Sequence, residues 1–169
     1  MTAKKGAKRR SKYPLDVLIA MFRKAAEFRN EMRAAGFTDN GGAIHSSERI
    51  LNLLGLRLNY PELGHQNNLR KSAKAEFSIA ALKAHKRGNP VKIEHLSPIR
   101  DFTCRAIENI KHGASDAQLR RFVRRHFKLV LLMPEEALRL NKQNRSKMTR
   151  NPCDRLRDAG IRYLVRQSC

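Results

Sequence analysis

The chain has 169 residues, of which 36 are Lys or Arg against 15 Asp or Glu, for a formal charge of +21. Residues 1–90 hold 18 basic and 7 acidic side chains and residues 91–169 hold 18 and 8, so the excess covers the whole body and points to a polyanion, by default a nucleic acid, as partner. With 41% hydrophobic residues the chain is too apolar for a wholly disordered polycation, and no apolar run approaches the roughly 18–20 residues that span a bilayer.

Residues 1–12 carry Lys4, Lys5, Lys8, Arg9, Arg10 and Lys12 and nothing to bury. They read as a flexible basic arm, either a solvated tail or a phosphate-binding one. The same stretch lacks the apolar centre of a secretory signal. Cys104, Cys153 and Cys169 stand far apart with no CxxC. That argues against a disulfide scaffold or a cysteine zinc site and fits a reducing cytoplasm.

Pro14 suits the first residue of a helix. Leu15, Leu18, Ile19, Phe22, Ala25, Ala26, Phe28 and Met32 follow at helical spacing until Gly36. A shorter apolar segment from Ile44 to Leu58 is expected to break at Gly55. A loop at Tyr60-Pro61 and Gly64 comes next, then an Ala-rich helix from Leu69 to Arg87 with Leu69, Ala73, Phe77, Ala80, Ala81 and Ala84 inward. Val91-Lys92-Ile93 alternates like a short strand. Asp101 to Lys111 and Ser115 to His126 read as two helices, the second with capping-box spacing between Ser115 and Gln118.

Phe127 to Leu132 is an uninterrupted apolar run between breakers, which predicts a strand covered on both faces beside Val91–Ile93. Pro134-Glu135-Glu136 opens a helix to about Asn144, with acidic residues on its first turn. A short helix from Pro152 to Ala159 stops at Gly160, and Ile161 to Val165 is extended. The expected fold is mainly α with a small β component. A helical region at 13–89 grips nucleic acid and forms one compact unit with residues 90–169.

Chemistry concentrates in two strings. In Val91-Lys92-Ile93-Glu94-His95-Leu96-Ser97-Pro98-Ile99 a strand delivers adjacent Glu and His into a loop. Glu94 can hold a divalent cation while the His95 imidazole takes a proton from water. The alternative, which the dipeptide alone favours, is Glu94 as a surface ion-pairing residue beside a locally packed His95. In the second string, residues 128–148, Asn141 and Asn144 lie three apart and can share a helix face. Amide oxygens suit a hard cation without adding negative charge. Arg139, Lys142, Arg145, Lys147 and Arg150 surround them, and the alternative is a helix end with a solvated basic face.

Together the strings resemble the HNH, or ββα-metal, nuclease family. Glu94-His95-Leu96-Ser97-Pro98 resembles the family's D/E-H-x-x-P opening, and Leu131-Leu132 through Asn144-Arg145-Ser146-Lys147 resembles its closing strand and helix. The resemblance spans about residues 91–150. It implies His95 as general base, Glu94 as metal ligand, Asn144 or Asn141 as the last ligand, and a divalent metal, most simply Mg²⁺. The chain departs from the family in inserting two helices between Thr103 and His126. It also lacks a counterpart of the middle Asn that orients the catalytic His; Asn109 falls inside a predicted helix.

The other histidines, His45, His65, His85, His112 and His126, show no metal-site spacing, and no nucleotide-cofactor fingerprint is present. Aromatic residues at 6% with no Trp are sparse for stacking single-stranded bases. Basic helices contacting phosphates, with Arg120, Arg121, Arg124 and Arg125 alongside the arm, favour duplex DNA or structured RNA over single strands, with DNA the first expectation. The sequence thus suggests a metal-dependent endonuclease of the kind carried by mobile elements. The rivals are a non-enzymatic basic regulator or RNA chaperone, and a protein that binds an acidic protein partner.

Overall fold

A computed structural model describes residues 13–143 and 147–163. The arm cations Lys4, Lys5, Lys8, Arg9 and Arg10, and also Asn144 and Arg145, lie outside the described residues. Within them run α1 (Leu15–Ala34), α2 (His45–Asn59), a 3-10 helix (Gln66–Lys71), α3 (Ile79–Lys86), β1 (Lys92–His95), α4 (Ile99–Lys111), α5 (Asp116–His126), β2 (Leu129–Leu132), α6 (Pro134–Gln143) and α7 (Asp154–Asp158). No helix among them is long and apolar enough to cross a membrane.

β1 and β2 form an antiparallel pair with Ile93 opposite Leu131, Glu94 opposite Val130 and His95 opposite Leu129. All four β2 residues are buried, because the ribbon separates two apolar layers. Leu129 and Leu131 enter the larger cluster with Phe22, Leu51, Leu54, Phe102 and Leu119. Val130 and Leu132 enter a smaller one with Leu96, Ala137, Leu140 and Leu156. Side chains directly opposite on an antiparallel pair share a face, so the uninterrupted apolar run is what a strand clamped between two layers requires. The far edge of β2 is closed by residues 76–78, where Glu76 O accepts from Leu131 N and Leu131 O from Ser78 N.

Several expectations need correction. α2 runs through Gly55 without a break. A Cβ there would stand 2.2 Å from the Phe127 ring, so the glycine is a seat for that ring and not a helix terminator. The Ala-rich helix expected from Leu69 to Arg87 is two pieces. Phe77 bridges Leu131, and Ser78 starts α3 by accepting from Ala81 N through its side chain. Pairing with the sheet edge outweighs alanine's helix propensity there, and Ala73 and Ala80 face solvent.

Phe28, expected inside, is 53% exposed, on the outer face of α1 with Val17 and Met21. The capping box at Ser115 and Gln118 forms on α5 as its spacing predicts. Of the cysteines, Cys104 is free whereas Cys153 is disulfide-bonded, a bond that the odd count and wide spacing gave no reason to expect.

Candidate active site

β1 ends on the Glu94-His95 pair, and period-two alternation sends the two side chains to opposite faces of the ribbon. His95 shares a face with Leu129 and turns towards α2 and Phe127. Its Nε2 lies 2.9 Å from Asn52 Oδ1, and its ring meets Phe127 edge-on, with centroids 5.4 Å apart at 76°. Asn52 and Gly55 are three residues apart and therefore on one face of α2. The same helix face that seats Phe127 through a glycine thus supplies the His95 partner.

Because an amide oxygen can only accept, His95 Nε2 carries the proton and Nδ1 keeps its lone pair. Nδ1 makes no hydrogen bond among the described residues. Burial, and then the positive charge of Arg155, lower the imidazole to about 4, so the ring is neutral at physiological pH.

Glu94 shares its face with Val130 and the α6–α7 layer. Its carboxylate accepts from Asn141 Nδ2 at 3.4 Å, and Asn141 Oδ1 in turn accepts from Arg155 Nη2 at 3.1 Å. Arg155, 2% exposed, also donates to His95 O at 2.8 Å and to the carbonyls of Leu96 and Leu140, both at 3.4 Å. Burial lowers its pKa and the nearby Glu94 raises it. One guanidinium therefore ties the β1 exit to the end of α6.

The structure brings Glu94 and Asn141 together, and sets the His95 imidazole on the other side of the ribbon against Asn52. Asn52 and Arg155 escaped the sequence reading. The only signal for Asn52 was an amide flanked by Leu51, Leu53 and Leu54 on a core-facing helix. Arg155 gave none, since an arginine in so basic a chain passes for a surface residue.

Among the described residues no three His, Cys, Asp or Glu side chains form a metal cluster. The hard oxygens of Glu94 nonetheless suit Mg²⁺, which is held by one or two carboxylates with waters and substrate phosphate completing its shell. Asn141 has one lone pair left after serving Arg155.

The basic surface adjoins this centre. Ser97 Oγ donates to His126 O at 2.9 Å, fastening the C-terminal end of α5 to the loop after His95. Arg121, Arg124 and Arg125 on α5 are exposed, as are Arg139, Lys142, Lys147 and Arg150 further on. None of these makes an ion pair among the described residues. The acids are used elsewhere, as in Arg23–Asp116 at 2.8 Å and Arg29–Asp39 at 2.6 Å. Arg120 is half-buried, and its Nε has no hydrogen-bond partner. No protein-family model, no curated protein and no solved structure matches the chain.

Proposed function

We propose that the protein is an endonuclease that hydrolyses phosphodiester bonds in nucleic acid, duplex DNA before RNA, with His95 as general base. The observation that carries this reading is a neutral imidazole at the end of β1, fixed by Asn52 in the tautomer whose Nδ1 lone pair is free. The chain order of β1, its antiparallel partner β2 and then α6 adds support, because the family that the sequence resembles has a strand, a second strand and a helix in the same order.

In the reaction, Nδ1 takes a proton from water as the water oxygen attacks phosphorus. The P–O bond to the leaving oxygen then breaks, and that oxygen is protonated from solvent. Asn52 keeps the proton on Nε2 and holds the ring's direction. Arg121 and Arg125 hold the flanking phosphates, with Arg139, Lys142, Lys147 and Arg150 extending the track. Glu94, with Asn144 or Asn141, would hold the divalent metal on the face of the ribbon away from the His95 imidazole, where when bound it would supply positive charge to the neighbouring substrate phosphates.

The test is incubation of purified protein with supercoiled plasmid and structured RNA, with Mg²⁺ or with EDTA. Cleavage is expected with Mg²⁺ alone, and His95→Ala is expected to slow it by about 10²–10⁴-fold with DNA affinity nearly unchanged. A protein that binds DNA but cuts nothing under any of these conditions is the non-enzymatic binder instead.

A further inference from the structure

A cavity of about 510 Å³ opens at the far edge of β2, lined by Asn59, Tyr60, Ala73, Lys74, Glu76, Arg124 and Lys128. Its volume falls in the range of small-molecule sites. The wall is built rather than incidental. Asn59 Nδ2 donates to the carbonyls of Arg124 and Phe127, fixing the last turn of α5. Leu129 N donates to the Tyr60 hydroxyl at 3.0 Å, and the Tyr60 ring packs edge-on against Phe127.

Three cations face one acid in that wall. Glu76 and Lys128 interact with each other electrostatically, and Lys74 meets Glu62 only at 3.4 Å on the surface, a contact of little worth in water. Arg124 makes no ion pair among the described residues, so the cavity keeps a net positive charge. The Tyr60 oxygen already accepts, and its own O–H remains a donor at any working pH because burial pushes the phenol up to about 12.

We propose that this cavity is a second binding site, separate from His95, that takes the phosphate-bearing end of a nucleotide. Arg124 and Lys74 receive the phosphate and the Tyr60 side of the wall receives the sugar and base. The ligand can be a free mononucleotide or the 5′-phosphorylated end of a strand, since both present the same chemistry. The inference does not depend on cleavage at His95.

The experiment is calorimetric titration of the full chain, at low salt, with thymidine 5′-monophosphate, thymidine, and a short oligonucleotide carrying either a 5′-phosphate or a 5′-hydroxyl. The variants are Ala73→Glu and Ala73→Gln. Ala73 is exposed at the rim, so both are expected to fold, which circular dichroism checks, and they differ only in charge.

The monophosphate should bind at least about tenfold more tightly than thymidine. Ala73→Glu should weaken it by a similar factor and Ala73→Gln should not. Preference for the 5′-phosphorylated oligonucleotide over the mononucleotide would assign the site to a strand end, and the reverse preference to a free nucleotide. Equal binding of thymidine and its monophosphate, or monophosphate binding by Ala73→Glu as tight as by the unmodified chain, overturns the proposal. The second result would mean that the anion is held by the general basic surface.

Discussion

Replacing Asn52 by Asp keeps the shape beside His95 and changes only the charge. A carboxylate at hydrogen-bond distance favours the imidazolium, so the His95 pKa should rise from about 4 and the acid limb of the pH–rate profile should move to higher pH with it. Asn52→Ala should lower the rate without that shift, because it frees the tautomer but adds no charge. Proton NMR titration of the ring, alongside the rate profile, separates the two outcomes. An unmoved acid limb in Asn52→Asp would remove His95 from the base role.

The same group makes stability depend on pH. Its folded value, about 4, lies below the ordinary 6.5, so between those values the unfolded chain binds the proton that the folded one refuses. The contribution is whole above about pH 6.5 and is lost as pH falls towards 4. It is on the order of 2 kcal/mol once the partial exposure of the residue is allowed for. Urea midpoints at pH 7 and pH 4.5 should differ by less in His95→Gln than in the unmodified chain. Arg155 is the more severe site. Arg155→Ala leaves four oxygens, buried or part-buried, without their donor and is expected to cost about 3 kcal/mol or more, at about 1–3 kcal/mol for each acceptor left unsatisfied, read as a large fall in the urea midpoint.

Among the elements, α2 and β2 show how far the sequence speaks. The β2 run and its pairing with β1 were legible because an unbroken apolar stretch needs cover on two faces, and the two clusters supply it. Gly55 misled, since a glycine that ends a helix and one that admits an aromatic ring look alike in one dimension. The Ala-rich stretch misled because a bridge from Phe77 to Leu131, 54 positions downstream, overrides local propensity. The Glu94-His95 pair was found as a motif, but its partners were not, because Asn52 and Arg155 reach it from helices at opposite ends of the chain.

A direct check follows from the close approach at Gly55. Gly55→Ala must displace the Phe127 ring that packs on His95, and should cost about 1–3 kcal/mol or more by overpacking while disturbing activity. Gly64→Ala, with nothing within 4 Å of its Cβ position, should leave thermal stability unchanged or slightly raised. Equal effects of the two changes in thermal melts would show that Phe127 does not occupy the Gly55 seat in solution.

For the whole molecule, the telling quantity is charge that intramolecular partners leave unneutralised. On α5, Arg121 and Arg125 stand four apart, as do Arg120 and Arg124, and like charges at that spacing destabilise a helix by a few tenths of a kcal/mol per pair. Leu119 and Val123 hold the other face in the core. A helix that carries such repulsion towards solvent is suited to a partner that cancels it, and DNA phosphates do so with release of counterions. Binding to duplex DNA should therefore weaken steeply with salt. The double change Arg121→Gln and Arg125→Gln should reduce the log–log slope by roughly 0.9 for each phosphate that the helix no longer neutralises. Removing the repulsion should at the same time leave the melting temperature unchanged or higher. That opposition of sign separates a binding surface from a structural one, because arginines that hold the fold together would lower stability when replaced. Fluorescence anisotropy at a series of salt concentrations, paired with thermal melts of the same samples, measures both. A slope unaltered by the double change would move the DNA track off α5 and onto the cations around Arg139 and Lys142.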